Sequence, residues 1–335
     1  MKKKILITGG AGYIGSHIVE LLIKKKFEIF VIDNLSRGYK KFLNKKVSLI
    51  KTDIKDISRI NRILKKYRIE TIIHLAALTD VQESEKYKKK YYNNNIVGTE
   101  KLFKACKDTS VKNIIYSSSA GVYGDGKNPV KENSQLKPIN YYAFTKLIGE
   151  KKLIEFSLNT KIKYYILRYF NVCGASKSGN IGILGNNKSL FKVLSNESLK
   201  KNPKISLFGK KFYTKDGSCV RDFIHVSDLA NIHFELIKYA NKNNKSHIIN
   251  CGYGKGYTVL EIIKAFKSVI NKNITINYKK KRKGEIAISY SDNNKIKKLI
   301  KWKPKFNNLK FMVKSSLVWE KNLKKKNYSK WKKNI

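Results

Sequence analysis

Short apolar runs alternate with amphipathic stretches through the first half of the chain. Residues 4–8, 28–33, 47–53, 71–76, 113–119 and 163–170 are strand-length runs rich in Ile, Val, Leu and Tyr. Between them, residues 16–25 carry Ile18, Leu21 and Leu22 at helical spacing, and 57–67 carry Ile60, Ile63 and Leu64. Residues 92–107 and 142–156 read as further helices. Strands that are apolar throughout are buried on both faces, and their alternation with helices predicts a doubly wound parallel α/β sheet.

Past residue 171 the regularity fails. Residues 173–218 are rich in Gly, Asn, Lys and Ser, with one helix predicted near 190–199. A strand–helix unit returns at 220–239, followed by a strand at 247–250, a helix at 259–270 and a strand at 274–278. The pattern predicts a nucleotide-binding domain over 1–172, with a returning unit near 220–250, and a smaller C-terminal α/β lobe over 173–335 that binds substrate. No internal repeat is visible.

Gly9-Gly-Ala-Gly12-Tyr-Ile-Gly15 follows the first strand and opens the first helix. Glycines there let the backbone turn tightly and approach a pyrophosphate, and the helix N-terminus supplies free N–H groups. Asp33 ends the second strand. A carboxylate at that place accepts both ribose hydroxyls and repels a 2′-phosphate, which makes the Rossmann-type cofactor NAD rather than NADP.

Tyr142 and Lys146 lie four apart in a predicted helix and share a face. Ser119 closes a strand, at the end that lines the ligand crevice of a parallel sheet. Together they form a candidate proton-transfer group. A free phenol titrates near ~10, so acting as a base at neutral pH needs ~4 kcal/mol. One cation at ~6 Å in an effective dielectric of ~20 supplies about 2.8 kcal/mol. Lys146 and an oxidised nicotinamide ring would together suffice, with Ser119 hydrogen-bonded to the reacting hydroxyl.

Composition narrows the reading. The chain has 335 residues and a formal charge of +48, which raises nucleic-acid binding. Yet only seven of its 72 basic residues are arginine, the favoured side chain for bidentate phosphate and base recognition. The lysines spread evenly among many Asn and Ile, as codon bias in an AT-rich genome would leave them. No specific nucleic-acid partner is expected. Apolar runs such as 29–32 are far too short to span a bilayer, so no membrane is expected either. Residues 5–8 lead straight into glycines and not into a cleavage-type signal segment, as in a cytoplasmic protein. The four cysteines and five histidines show no metal-ligand or disulfide spacing, and no metal site is predicted.

These features together resemble the extended short-chain dehydrogenase/reductase family, and within it the UDP-glucose 4-epimerase branch. The resemblance runs from Ile5 to about Trp319. It rests on Thr8-Gly-Gly-Ala-Gly-Tyr-Ile-Gly-Ser-His17, Asp33-Asn-Leu, Asp53-Ile54, Ile73-His-Leu-Ala-Ala77, Asn94-Asn-Ile-Val-Gly-Thr99, Ser117-Ser-Ser-Ala-Gly-Val-Tyr-Gly124, Tyr142-Ala-Phe-Thr-Lys146, Leu167-Arg-Tyr-Phe-Asn-Val172 and Arg221-Asp-Phe-Ile-His-Val-Ser-Asp228. The glycine turn and Tyr-Lys pair mark the superfamily; the Arg221 segment and the Ser119 context are narrower.

The resemblance implies that Gly9, Gly12, Tyr13, Ile14 and Gly15 cradle the NAD pyrophosphate. It implies that Asp33 and Asn34 hold the adenosine ribose, that Asp53 and Ile54 bracket the adenine, and that Asn94 contacts the cofactor. Tyr142 and Lys146 match the catalytic pair, and Ser119 its hydroxyl partner. Asn171, Arg221 and Arg282 match sugar-nucleotide positions, the arginines on the diphosphate. Ser289 falls beside the rotating sugar, where a serine leaves room for an N-acetyl group. The implied activity interconverts UDP-glucose and UDP-galactose through a 4-keto intermediate, in a family that is usually homodimeric.

Three positions depart from the family pattern. Thr79 stands where many relatives carry a lysine, Gly121 replaces a threonine or alanine, and 185–191 lacks the usual Asn-Leu pattern around Ser189. The rival activities on the same fold are sugar-nucleotide 4,6-dehydration and decarboxylation. Relatives with those activities carry acids just before Val-Tyr-Gly, where this chain has Ala120-Gly121. A non-catalytic NAD- or nucleic-acid-binding protein is the remote alternative.

Overall fold

Continuous apolar runs have no polar face to offer water, so the first-half strands are driven into the middle of a covered sheet. The computed structural model describes residues 3–185, 187–282 and 284–325. The runs become β1 (Lys4–Thr8), β2 (Glu28–Asp33), β3 (Ser48–Lys51), β4 (Thr71–His74), β5 (Asn113–Ser119) and β6 (Lys163–Tyr169). After them come β7 (Asn171–Cys173), β8 (Lys204–Phe208), β9 (Val220–His225), β10 (His247–Cys251), β11 (Gly256–Thr258), β12 (Thr275–Lys279) and β13 (Ile288–Ser289). The helices are α1 (Tyr13–Lys24), α2 (Ile57–Tyr67), α3 (Val81–Lys86), α4 (Lys88–Tyr91), α5 (Gly98–Ala105), α6 (Tyr141–Leu158), α7 (Leu190–Ser198), α8 (Val226–Ala240), α9 (Val259–Ile270), α10 (Asn294–Ile300) and α11 (Leu309–Lys325).

The main sheet is seven-stranded, in the order β10-β6-β5-β4-β1-β2-β3, and every pairing in it is parallel. Alternate residues of each strand enter opposite cores. Ile5, Ile7, Val31, Ile73, Ile115 and Leu167 face one, while Leu6, Phe30, Ile32, Ile72, Ile114 and Ile166 face the other. The order reverses between β1 and β4, and this opens a crevice at the strands' C-terminal ends.

The unit expected to return near 220–250 divides. Helix α8 packs on α1, and β10 joins the main sheet beside β6. Strand β9 lies in a second sheet, flanked by β11 and β13 and paired with β7. The expected helix over 92–107 is also divided: Tyr92–Val97 forms a π-helical turn before α5. Within that turn the Asn95 amide bonds both backbone groups of Leu78 and the Thr145 hydroxyl, at 2.8, 2.9 and 3.1 Å. The wide turn thus ties the end of the β4 segment to α6. No described helix is long and apolar enough to cross a membrane.

Beneath the crevice, β6 and α6 share a buried ion pair. Arg168 donates to both Glu150 carboxylate oxygens at 3.0 and 2.7 Å, to the Tyr123 hydroxyl at 2.9 Å and to the Glu132 carbonyl at 2.9 Å. Ser118 on β5 donates to the same carboxylate. The two charged side chains are 1% and 2% exposed, so neither has water as an alternative partner. Arg168→Ala leaves the Glu150 charge buried alone and is expected to lower unfolding free energy by about 3–5 kcal/mol in urea titrations. The double change Glu150→Gln, Arg168→Met, which removes both charges, is expected to lose less than the single one.

Candidate active site

The crevice floor begins at the glycine turn. Gly9 has φ +69°, and a Cβ there would lie 2.7 Å from the Ala76 nitrogen. A Cβ on Gly15 would lie 2.3 Å from the Gly9 carbonyl oxygen. Both glycines are therefore required by the backbone itself. Gly12 is the N-cap of α1, makes no side-chain cap, and has no acid in the turn that follows. This leaves a twelve-residue helix with its N-terminal N–H groups unserved by side chains, a ready seat for a phosphate. The Tyr13 hydroxyl donates to the Gly174 carbonyl at 2.7 Å, and Ile14 packs into the core. These two residues can serve a pyrophosphate only through their backbone.

Asp33 ends β2 with its carboxylate accepting from the Ala11 and Leu35 amides at 3.0 and 2.8 Å. Burial pushes its carboxyl up, and the two amides pull it back. The carboxylate is thus fixed and nearly dehydrated, with acceptor capacity left for a ribose. The Asn34 amide donates to Asp53 at 3.2 Å, joining the ribose and adenine candidates, and Ile54 is buried beside them. Asn94 donates to Asn95 at 3.0 Å. The residues present fit a dinucleotide: an uncapped helix end, a glycine cradle and an oriented carboxylate.

The proton-transfer candidates converge where β5 meets α6. Ser119 is the last residue of β5, and its hydroxyl accepts from the Gly121 amide at 3.1 Å. A Cβ on Gly121 would press on Ala143 at 3.1 Å and approach the Ser119 hydroxyl at 3.4 Å, which gives the unusual glycine a local reason. Half-buried Tyr142 stands in the first turn of α6. Burial pushes its phenol up to about 12, and the Ser119 hydroxyl pulls it down. Lys146, one turn on, donates to the Ser117 carbonyl at 2.7 Å and lies 5.1 Å from the centre of the Tyr116 ring. Burial lowers its ammonium to about 7, and the Glu150 charge raises it.

Sequence reasoning named neither Ser117 nor Glu150 as part of this group. Glu150 carried a signal, four residues beyond Lys146 on the same helix. Ser117 carried none beyond membership of a serine run. Its hydroxyl donates to the His74 carbonyl at 2.9 Å, and His74 bonds Thr8 and Thr99 at 2.7 and 2.9 Å. Burial holds the His74 imidazole neutral, lowered to about 3, with Lys146 adding to the effect. This chain of bonds links the anchor of Lys146 to the residue before Gly9.

The sugar-nucleotide candidates are more scattered. Asn171 is exposed at the start of β7. Arg221 on β9 pairs in register with Ser289 on β13. Its guanidinium donates to the carbonyls of Val220, Ile286 and Ala287 at 2.8, 2.6 and 3.3 Å, and Glu285 lies 4.0 Å away. Arg282 is not brought to Arg221 by any contact described; it stacks 3.7 Å from the centre of the Phe208 ring. Thr79 is exposed, and the buried Ser189 hydroxyl has no hydrogen-bond partner among the described residues. Residues 186 and 283, inside the segments flanking Ser189 and Arg282, lie outside the described residues.

Gly15→Ala forces a Cβ onto backbone that cannot swing away. It is expected to weaken dinucleotide binding at least about tenfold in a calorimetric titration, since the turn must shift to admit it.

Three comparisons extend this geometry. Residues 5–252 match the NAD dependent epimerase/dehydratase family. UDP-glucose 4-epimerase from Lactobacillus helveticus is 37% identical over 321 residues, which span 95% of this chain and 97% of the relative. Among solved structures, UDP-glucose-4-epimerase from Stenotrophomonas maltophila, with bound NAD and formylated UDP-arabinopyranose, aligns with a TM-score of 0.93 at 30% identity, covering 97% of this chain and 99% of that one. The UDP-Glc/GlcNAc 4-epimerase of Campylobacter jejuni aligns with a TM-score of 0.83 at 38% identity, covering 96% and 99%. With most of its length matched in sequence and in fold, the chain belongs to the NAD-dependent epimerase/dehydratase family.

Proposed function

We propose that this protein is a UDP-sugar 4-epimerase, interconverting UDP-glucose and UDP-galactose with NAD held as a bound catalyst. The observation that carries the proposal is the meeting of Ser119 and Tyr142 at the end of β5, followed by Ala120-Gly121. A hydroxyl and a phenol can move one proton on and off a sugar hydroxyl. Neither Ala120 nor Gly121 offers a group to eliminate water or assist decarboxylation.

Bound NAD would supply the hydride acceptor and donor at the sugar carbon. Gly9, Gly12 and Gly15 would admit its pyrophosphate to the α1 N-terminus, and Asp33 would take the ribose hydroxyls. Tyr142 would hold the proton of the sugar 4-hydroxyl, with Ser119 orienting that hydroxyl. Burial pushes this phenol up to about 12, so ionising it takes more than ionising a free phenol. The positive nicotinamide ring of bound NAD, near ~6 Å, would offer about 2.8 kcal/mol toward ionisation. A sugar hydroxyl donating to the phenolate would add about 1.5–3 kcal/mol, as a charged hydrogen bond does. Cofactor and sugar would thus each draw the phenol toward its ionised form.

Homodimeric assembly belongs to the same proposal. It is supported by Tyr87, Tyr92 and Phe144, which leave 40–48% of their surfaces exposed on neighbouring helical segments. Four free, buried cysteines suit a reducing cytoplasm.

Tyr142→Phe keeps the ring and removes the proton acceptor. Turnover is expected to fall by about 10²–10⁴-fold while UDP binding, measured by calorimetry, stays within about threefold. Near-normal turnover would remove Tyr142 from the mechanism.

Ser289 pairs in register with Arg221 in the second sheet, and this neighbour supports a place for it beside the substrate. Its small side chain is expected to admit UDP-N-acetylglucosamine as well as UDP-glucose. Ser289→Tyr should depress the N-acetyl activity at least about tenfold more than the glucose activity. A wild type confined to the unacetylated sugars would defeat this reading.

A further inference from the structure

Helix α3 spans six residues, Val81–Lys86, and has no apolar periodicity. A helix so short is not stable by itself. What holds it is a set of polar ties to three other parts of the molecule. Gln82 accepts from Lys188 at 2.8 Å, on the segment leading into α7. Glu83 pairs with Arg37, on the loop that follows Asp33 and Asn34, and also accepts from Lys90 at 2.9 Å. The next two residues face the catalytic helix. The Ser84 hydroxyl accepts from the Tyr142 amide at 3.0 Å, and the Glu85 carboxylate accepts from the Tyr141 amide at 2.6 Å.

The first N–H groups of any α-helix lack partners within it. In α6 these groups belong to Tyr141, Tyr142 and Ala143. The third is served by the helix's own N-cap, Asn140, at 2.9 Å. The first two are served from α3 alone. Ser84 is fully buried, and its hydroxyl is held in turn by the Val81 carbonyl at 2.6 Å. Its aim is therefore fixed, and no water takes its place.

We infer that α3 is a positioning element of the active site, with Ser84 the positioning residue that fixes the backbone of Tyr142 and the Arg37–Glu83 pair fastening the element to the cofactor loop. The inference rests on the assignment of Tyr142 as proton acceptor. Loss of the Ser84 hydroxyl leaves the Tyr142 amide buried and unpaired and lets the first turn of α6 shift. Displacements of this kind, around an ångström, reduce turnover by up to about 10²-fold without removing a reacting group.

The test is Ser84→Ala in the full-length protein with NAD bound. The expected result is a kcat for UDP-glucose epimerisation lowered about 10- to 30-fold, with KM changed less than about twofold, and recovery to within about threefold in Ser84→Thr. In a Tyr142→Phe background the same change should cost no further turnover, although it lowers the melting temperature as before. Independently of activity, the Tyr142 amide should exchange with deuterium at least about tenfold faster in Ser84→Ala. An unchanged kcat, or the same fractional loss with and without the tyrosine hydroxyl, overturns the inference, as does unchanged exchange. If the wild type epimerises no UDP-sugar, the proposed function fails while the exchange measurement still decides whether Ser84 holds the Tyr142 backbone. Should Ser84→Ala not fold, the surface variants Glu85→Ala and Glu85→Gln replace it: loss of kcat in the first and retention in the second support the inference, and equal activity in both overturns it.

Discussion

A charged pair without access to water governs the architecture of the active site. Arg168 and Glu150 can exist as ions in the interior only if every lone pair and N–H is met, because the desolvation cost of each is several kcal/mol. Meeting them recruits β5 through Ser118, the β5–α6 connection through Tyr123 and Glu132, and β10 through Asn250, which accepts from Tyr123 at 2.6 Å. Helix α6 cannot slide along the sheet without breaking that set. Ser119 from a strand and Tyr142 from a helix consequently meet at one fixed place. A purely apolar contact under α6 would hold it as tightly but would specify its register less well.

The same dryness shapes the chemistry above. Burial raises Tyr142 and lowers Lys146, in both cases toward the uncharged form. The argument from sequence placed Lys146 beside the phenol as a stabilising cation. In the structure its ammonium points into the serine strand at the Ser117 carbonyl, and the influences on the phenol are burial and Ser119. At the phenol, burial outweighs the hydrogen bond to Ser119. Positive charge brought by a ligand is felt strongly there, because little water remains to screen it.

Much of the fold was legible because its elements are set by local physics. Residues 57–67 and 259–270 fall where apolar spacing placed them, bounded by the Asp56 cap in one case and by the Thr258–Glu261 capping box in the other. Strands β1, β2 and β5 coincide with their apolar runs. Helix α3 was not legible: Val-Gln-Glu-Ser-Glu-Lys has no buried face, and its order comes from partners 46 to 106 residues away in sequence. Strands β7, β11 and β13 are two or three residues long, too short for any period to register. At the site, glycines and Asp33 were readable from their place after a strand. The carbonyl grip on Arg221 and the stacking of Arg282 were not, since neither backbone acceptors nor ring partners leave a mark on sequence spacing.

The scarcity of arginine acquires a different meaning beside these contacts. All but seven of the 72 basic residues are lysine, so a place that requires a guanidinium stands out against that background. Three of the seven arginines, Arg59, Arg62 and Arg68, are exposed in or just after α2, and the structure gives no reason for them. The other four are of another kind. Arg168 makes four hydrogen bonds to three groups at once, Arg221 spans three carbonyls, Arg37 ties α3 to the loop after Asp33, and Arg282 lies 3.7 Å from a ring centre. Arg168, Arg221 and Arg282 use a planar, forked cation in a way that a single ammonium cannot reproduce, whereas Arg37 reaches Glu83 through one nitrogen. In a chain of this composition, Arg168, Arg221 and Arg282 mark places where shape, and not charge alone, is required of the cation.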